Sequence, residues 1–335
     1  MSKPIYLIAT ERSGSNFLRK SLSERQSEVC CTIPPAHFLR TFNFWSHCLG
    51  PFHHDDTWLR LISFYQRSTL ERAVPWHFSE NVEIIAQTYE DRYGDKRDPV
   101  RLADHFYTRF ALRQGFLSYL CKDIWLNQFA LEIASALPAA QFIHLVRDPR
   151  DVAASQKRRP FGLQDVGNLA SDWKTQTDQM LRYAQDTELS ERTMLVRYED
   201  LISAQDDTCD ALLSNLKLEK APGIDTGSMP TTFHEWKNLD RPAIVDNAGK
   251  FRKHLSSKET RIVESLTWHT MRLLNYKPLA TARPDLGFFE RRVYSKLAQL
   301  RQRIRFAIKL RTLRSEPINR RASRELVHEL EHGFR

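Results

Sequence analysis

Thr10-Glu11-Arg12-Ser13-Gly14-Ser15-Asn16 lies between an apolar run, Ile5–Ala9, and a stretch in which Phe17, Leu18 and Leu22 recur on one helical face. Residues of these types at a helix start make an anion site. The first N–H groups of a helix lack intrahelical partners, and the helix dipole adds positive potential. Gly14 lets the backbone approach an anion closely. Ser13 and Ser15 bring hydroxyls, Asn16 and Phe17 complete the first turn, and Arg12 brings a permanent forked cation. The chemistry is the holding of a phosphate or a phosphate-like group. Ser and Asn are equally favoured as ordinary helix caps, so this stretch alone is also compatible with a plain loop. No Gly-Lys-Ser/Thr follows, so it is not a Walker A loop. The usual magnesium-binding hydroxyl is absent, and anion binding without metal is expected.

A second set of chemistry-bearing residues follows later apolar runs. Arg147 stands directly after Gln141–Val146 and begins Arg147-Asp148-Pro149-Arg150-Asp151, with Ser155 eight residues beyond Arg147. Lys122-Asp123 follows Phe116–Cys121, and Tyr198 follows Thr193–Arg197. Asn247–Leu255 is a basic loop that contains Gly249, Lys250, Arg252 and Lys253. His37 follows Pro34-Pro35-Ala36.

The elements that must position these residues alternate between strand and helix. Buried strands are expected at Ile5–Ala9, Glu28–Ile33, Phe116–Cys121, Gln141–Val146 and Thr193–Arg197. Helices are expected after Ser15, over Ile124–Leu137, after Asp148 with Pro149 in the first turn, and over Leu169–Ala184, Asp206–Leu216 and Ser257–Leu274. The Ser256–Glu259 stretch has helix-start chemistry. Lys220–Arg241 reads mostly as loop. The alternation implies an α/β fold, a central parallel sheet flanked by helices. A helical, aromatic-rich insertion spans about 38–116, with its aromatics read as core. Domain bounds of 1–280 and 281–335 are expected, the second a helical C-terminal extension. In such sheets ligands gather at the carboxyl ends of strands. Arg12, Lys122, Arg147 and Tyr198 all fall there, so all four are expected to converge on one crevice.

Composition narrows the classes. The 335 residues are 41% hydrophobic, enough for a substantial core, and no apolar run is long enough to span a membrane. The first strand begins within a few residues of the N-terminus, leaving no room for a signal peptide. Five cysteines without a CxxC pair indicate reduced thiols and no structural zinc, consistent with a cytoplasmic location. The net charge of +9 is concentrated in one place. Residues 291–314 hold nine Lys/Arg and no acid, and the remainder carries 41 basic against 41 acidic residues. That neutral remainder argues against a nucleic-acid-binding module. Val293, Leu297, Leu300, Ile304 and Ile308 form an apolar stripe within the basic segment. Two roles stay open for it: peripheral contact with an anionic membrane, or a packed helix with a solvated basic face.

Four segments, in order, resemble those of the PAPS-dependent sulfotransferases (PAPS is 3′-phosphoadenosine 5′-phosphosulfate), in the bacterial and carbohydrate-type branch with a P-loop-like fold. Residues 10–18, TERSGSNFL, resemble the loop for the 5′-phosphosulfate. Residues 142–155, FIHLVRDPRDVAAS, resemble the 3′-phosphate segment, with Arg147 and Ser155 in its two positions. Residues 197–201, RYEDL, resemble the segment whose tyrosine lies by the adenine, and 249–255, GKFRKHL, resemble the late basic loop. The resemblance covers roughly residues 4–277. It implies PAPS as donor, adenosine 3′,5′-bisphosphate (PAP) as product, no metal, and an acceptor hydroxyl of a saccharide or glycolipid. Arg12 to Phe17, Arg147, Ser155, Tyr198, Gly249, Lys250, Arg252 and Lys253 then hold the nucleotide, and Arg12 with Lys122 steadies the leaving group.

The general base departs from the family pattern. Where cytosolic members have Lys-Thr-His, this chain has Lys122-Asp123-Ile124. Where carbohydrate-type members place a carboxylate after the first helix, it has Pro34-Pro35-Ala36-His37. His37 titrates in the right range and is the first candidate, with Asp123 second and Glu11 third. The competing readings are a P-loop-like ATP-dependent kinase and a sulfotransferase of a small natural-product alcohol or phenol.

Overall fold

The computed structural model describes residues 3–40, 42–43, 51–70, 76, 78–158, 165–185, 187–221 and 247–287. The basic segment 291–314 and most of the loop expected at 220–241 lie outside the described residues. The chain divides into two compact units. One is Met1–Asp148 with Thr175–Lys250, and the other is Pro149–Lys174 with Phe251–Arg335.

The first unit is built on a sheet. In chain order its elements are β1 (Ile5–Ala9), α1 (Ser15–Ser23), β2 (Val29–Cys30), α2 (Asp55–Leu70), α3 (Val82–Tyr93), α4 (Pro99–Arg113), β3 (Ser118–Cys121), a 3-10 turn (Leu126–Phe129), α5 (Ala130–Ala136) and β4 (Gln141–Val146). α6 (Pro149–Lys157) and α7 (Val166–Tyr183) follow, then α8 (Thr187–Ser190), β5 (Thr193–Arg197), α9 (Tyr198–Ser203) and α10 (Gln205–Leu216). Two last helices, α11 (Phe251–His254) and α12 (Ser257–Leu273), belong with α6 to the second unit. The strand order is β2-β3-β1-β4-β5, and every pairing is parallel, as the alternation of strands and helices implied. The order reverses at β1, where the chain first builds to one side and then crosses to add β4 and β5. Ligands of open parallel sheets sit beyond the strand ends at such a reversal.

The period-two alternation of the strands divides the core between the two sheet faces. Tyr6, Ile8, Tyr119, Cys121 and Phe142 point into one cluster with the aromatics of α2, α3 and α4. Ile5, Leu7, Leu120, Ile143 and Leu145 point into the other, against α1, α9 and α10. The described aromatics of the 38–116 insertion are mostly core, as expected. Phe38 stacks on Tyr65 at 4.5 Å and touches Trp76, Phe106 and Tyr107.

Two expected elements are shorter than their apolar runs. The strand expected at 28–33 is only Val29–Cys30. The Gln26 side chain takes the N–H groups of Glu28 and Val29 and donates to the Val29 carbonyl, so it replaces sheet bonds at that end. The helix expected at 124–137 is α-helical only over Ala130–Ala136. Trp125 adopts a left-handed conformation (φ 66°), which interrupts any helix leaving Asp123, and a 3-10 turn follows.

The second unit packs Ala153, Ala154, Leu169, Phe251, Ile262 and Val263. Arg150 is buried, 2.7 Å from Glu264 and stacked 4.2 Å above the Phe251 ring. Glu264 also accepts the N–H groups of Leu279 and Ala280. The Phe251 N–H donates to Asp151 at 2.8 Å. The Ser256–Glu259 capping box starts α12. No described helix is long and apolar enough to cross a membrane.

Candidate active site

At the carboxyl end of β1 the loop turns sharply. The Ser13 N–H donates to the Thr10 carbonyl, and the two hydroxyl oxygens are 2.6 Å apart. Ser13 is fully buried, so its hydroxyl closes the turn from inside. Arg12 (φ 72°) and Gly14 (φ 92°) are both left-handed. Gly14 occupies the cap position of α1 without a side-chain cap. The N–H groups of Ser15, Asn16 and Phe17 therefore have no acceptor within the helix, as in an anion cradle. The Gly14 backbone lies against the Tyr198 ring so closely that a Cβ there would overlap two ring carbons. This position requires glycine on both counts.

Arg147, at the end of β4, ties this loop to two other segments. Its guanidinium donates to the Arg12 carbonyl at 3.1 Å and to the Asn247 carbonyl at 2.5 Å, and it stacks 4.3 Å above the Tyr198 ring. The Asn247 side-chain amide donates to the Tyr198 hydroxyl at 2.6 Å. The Glu199 carboxylate accepts the N–H of Asp148 at 3.0 Å, fixing the turn after β4 to the start of α9. Three strand ends are thus cross-linked around one cation.

A second cluster lies at the end of β3. The Asp123 carboxylate is buried. Its Oδ2 accepts the His37 N–H at 2.8 Å and the Tyr107 hydroxyl at 2.6 Å, and its Oδ1 lies 3.4 Å from His37 Nδ1. His37 adopts φ 56° between the buried Ala36 and Phe38. Arg19 of α1 donates to the Ile33 carbonyl at 3.1 Å and holds the segment leading to it. A carboxylate at Nδ1 favours the tautomer with its proton there and leaves Nε2 basic. It also stabilises the imidazolium that forms when Nε2 takes a proton. The first two candidates for the base are thus two halves of one pair.

Lys122 follows β3 directly and is charge-coupled to residues of both clusters. Burial, then the positive charge of Arg19, pushes its ammonium down to about 8, while the charges of Asp123 and Glu11 partly offset this and Arg12 adds to it. It has no hydrogen bond or ion pair among the described residues. A cation so placed gains most from an added anion.

The structure therefore brings Arg12, Ser13, Gly14, Ser15, Asn16, Phe17, Arg147 and Tyr198 together on one side, and His37, Lys122 and Asp123 on the other. Gly249 (φ 72°) turns the chain into Lys250 at the end of the first unit. Ser155, Arg252 and Lys253 belong to the second unit, on α6 and α11, and Arg252 lies 5.1 Å above the Phe251 ring. Two residues were not legible in advance. Tyr107 reads as one more aromatic of α4, and Asn247 opens the basic loop without any charge of its own. Among the described residues no group of three or more His, Cys, Asp or Glu could hold a metal ion.

The model of the sulfotransferase family matches residues 4–222. The fold is similar to the sulfotransferase domain from the curacin biosynthetic pathway, with a TM-score of 0.51 and 17% identity over 83% of this chain and 99% of that one. It also resembles the sulfotransferase domain of the Synechococcus PCC 7002 olefin synthase (TM-score 0.49, 19% identity, 80% of this chain and 96% of that one). A further similarity is to retinol dehydratase in complex with androsterone and the inactive cofactor PAP (TM-score 0.41, 12% identity, 81% of each chain). No curated protein sequence matches the chain.

Proposed function

The chain belongs to the sulfotransferase family, and we propose that it moves a sulfuryl group from PAPS to a hydroxyl of a saccharide or glycolipid. The observation that carries this reading is the place of Lys122. It feels the charges of Glu11 and Arg12 in the loop after β1 and that of Asp123, the partner of His37. This supports a reading in which an anion site and a base share one cation, which has no hydrogen bond or ion pair among the described residues.

The donor set fits the nucleotide. The α1 N-terminus and Arg12 suit the 5′ anion. The contact of Gly14 with Tyr198 leaves the loop backbone bare toward it. Arg147 at the end of β4 suits the 3′-phosphate, and the Tyr198 ring suits the adenine. When bound, PAPS supplies a sulfuryl group on a good leaving group. Nε2 of His37 takes the proton of the acceptor hydroxyl as its oxygen bonds to sulfur and the bond from sulfur to the 5′-phosphate oxygen breaks. Asp123 holds the imidazolium, and Tyr107 holds Asp123. Arg12 and Lys122 receive the charge that grows on the departing phosphate oxygen. Removing one such donor costs on the order of 3–4 kcal/mol of transition-state stabilisation.

The test is acceptor-dependent release of PAP from PAPS in EDTA, followed across a set of saccharides and glycolipids. Release that rises with one of them, and sulfate found on it, is expected. Transfer of phosphate from ATP in magnesium, with none from PAPS, would replace this reading by a kinase.

A further inference from the structure

Beside the His37–Asp123 pair lies a contact that the reaction above leaves without a role. The Arg40 guanidinium sits 4.5 Å above the centre of the Trp125 indole. Arg40 is exposed and has no ion pair among the described residues. Trp125 is 38% exposed, although most large aromatics among the described residues are buried. It is also held at φ 66°, a left-handed conformation that is strained for a bulky residue and collects where ligands are clamped.

The position of this contact follows from the chain. Residues 38–40 are helical, so Arg40 stands about one turn, roughly 5 Å, beyond His37. Trp125 is two residues beyond Asp123, within about 7 Å along the backbone. The same two segments thus meet twice, once through His37 and Asp123 and once through Arg40 and Trp125. The second contact is therefore a close neighbour of the first along both segments.

A guanidinium held over an aromatic ring is restricted in its motion and still carries N–H donors for a ligand. A fixed fork of donors matches a carboxylate, and less of its freedom is lost on binding than for a mobile surface cation. The exposed remainder of the indole offers an apolar surface to a ring beside that carboxylate. The geometry points to Arg40, seated on Trp125, as the residue that selects acceptors carrying a carboxylate next to the ring that is sulfated, as in a uronic acid. This inference rests on the sulfotransferase reading above and names the acceptor class for the same site.

The test is titration of an aryl glucuronide and the matching aryl glucoside into the full-length protein saturated with PAP. The glucuronide is expected to bind about tenfold or more tighter, the worth of one charge-assisted hydrogen bond or more. Arg40→Ala should bring the two within about twofold while leaving the glucoside unchanged. Arg40→Lys, which keeps the charge and loses the fork, should retain only part of the preference. Equal affinities in the wild type, a preference that survives Arg40→Ala, or binding of neither glycoside overturns the inference. Thermal stabilisation by PAP, measured on the same samples, separates the two levels. If PAP stabilises the wild type and the preference is absent, only the acceptor assignment fails. If PAP does not stabilise it, the sulfotransferase reading fails and takes this inference with it. A variant that keeps the PAP shift is folded, and Arg40→Gln replaces Arg40→Ala should the latter lose it.

Discussion

Gly14 and Tyr198 are in direct backbone-to-ring contact, with no space for a Cβ between them. The tyrosine that follows β5 therefore sets the shape of the loop that follows β1. Gly14→Ala has two defects at once, a left-handed φ of 92° and overlap with the ring. It is expected to lower stability by about 1–3 kcal/mol and PAP affinity by about 100-fold or more. Tyr198→Ala opens the space but not the backbone. The double variant should therefore recover part of the stability lost by Gly14→Ala, and a double-mutant cycle in urea measures the coupling. Strict additivity would mean that the contact is not tight.

His37→Ala is expected to lower kcat by about 10²–10⁴-fold with little change in PAP affinity. Asp123→Asn keeps the shape and removes the charge that favours the imidazolium, and it should lose much of the same activity. Tyr107→Phe removes one of two hydrogen bonds on Asp123 Oδ2 and should cost far less. Kinetics of the three variants check the order. Equal activity of His37→Ala and wild type would remove His37 as the base.

The pH dependence of donor binding follows from Lys122. Its ammonium loses its proton near pH 8 instead of above 10. A bound anion favours the charged form, so above pH 8 binding takes up a proton and affinity falls as pH rises, by up to about tenfold per unit. Below about pH 7 this contribution is flat. In Lys122→Met the slope should vanish, along with part of the affinity at neutral pH. PAP titrations from pH 6.5 to 9.5 read both effects.

In the second unit, Glu264 and Arg150 are each almost fully buried and paired at 2.7 Å. Glu264→Ala removes the carboxylate from a buried guanidinium and from two backbone N–H groups of the 279–280 turn. The expected cost is about 3–5 kcal/mol in urea unfolding. A loss below about 1 kcal/mol would mean that water replaces the carboxylate.

The parallel sheet was legible, and so was the meeting of Arg12, Arg147 and Tyr198, because each follows a strand end. Buried parallel strands read as unbroken apolar runs, and the residue just after each run necessarily faces the ligand edge. The turn between β1 and α1 was legible for a similar reason, since small residues between an apolar run and a helical pattern mark a tight loop at a helix start. What could not be read was lateral. His37 and Asp123 are 86 residues apart, and their pairing depends on how the 33–38 segment is anchored by Arg19. Tyr107 and Asn247 act only through neighbours that the fold supplies. Local chemistry also erased parts of the pattern. Gln26 truncates β2, and the left-handed Trp125 breaks the apolar run after Asp123 into a 3-10 turn and a short helix.

Calorimetric titration with PAP in EDTA, beside ATP in magnesium, tests most directly that the Arg12–Phe17 cradle and Arg147 hold a nucleotide with separate 5′ and 3′ anions. PAP is expected to bind without metal and more tightly than ATP. Its affinity should fall by about tenfold or more in Arg147→Ala, and adenosine 5′-monophosphate should lack that dependence on Arg147. Tighter binding of ATP with magnesium, or equal loss of PAP and the monophosphate in Arg147→Ala, would contradict it.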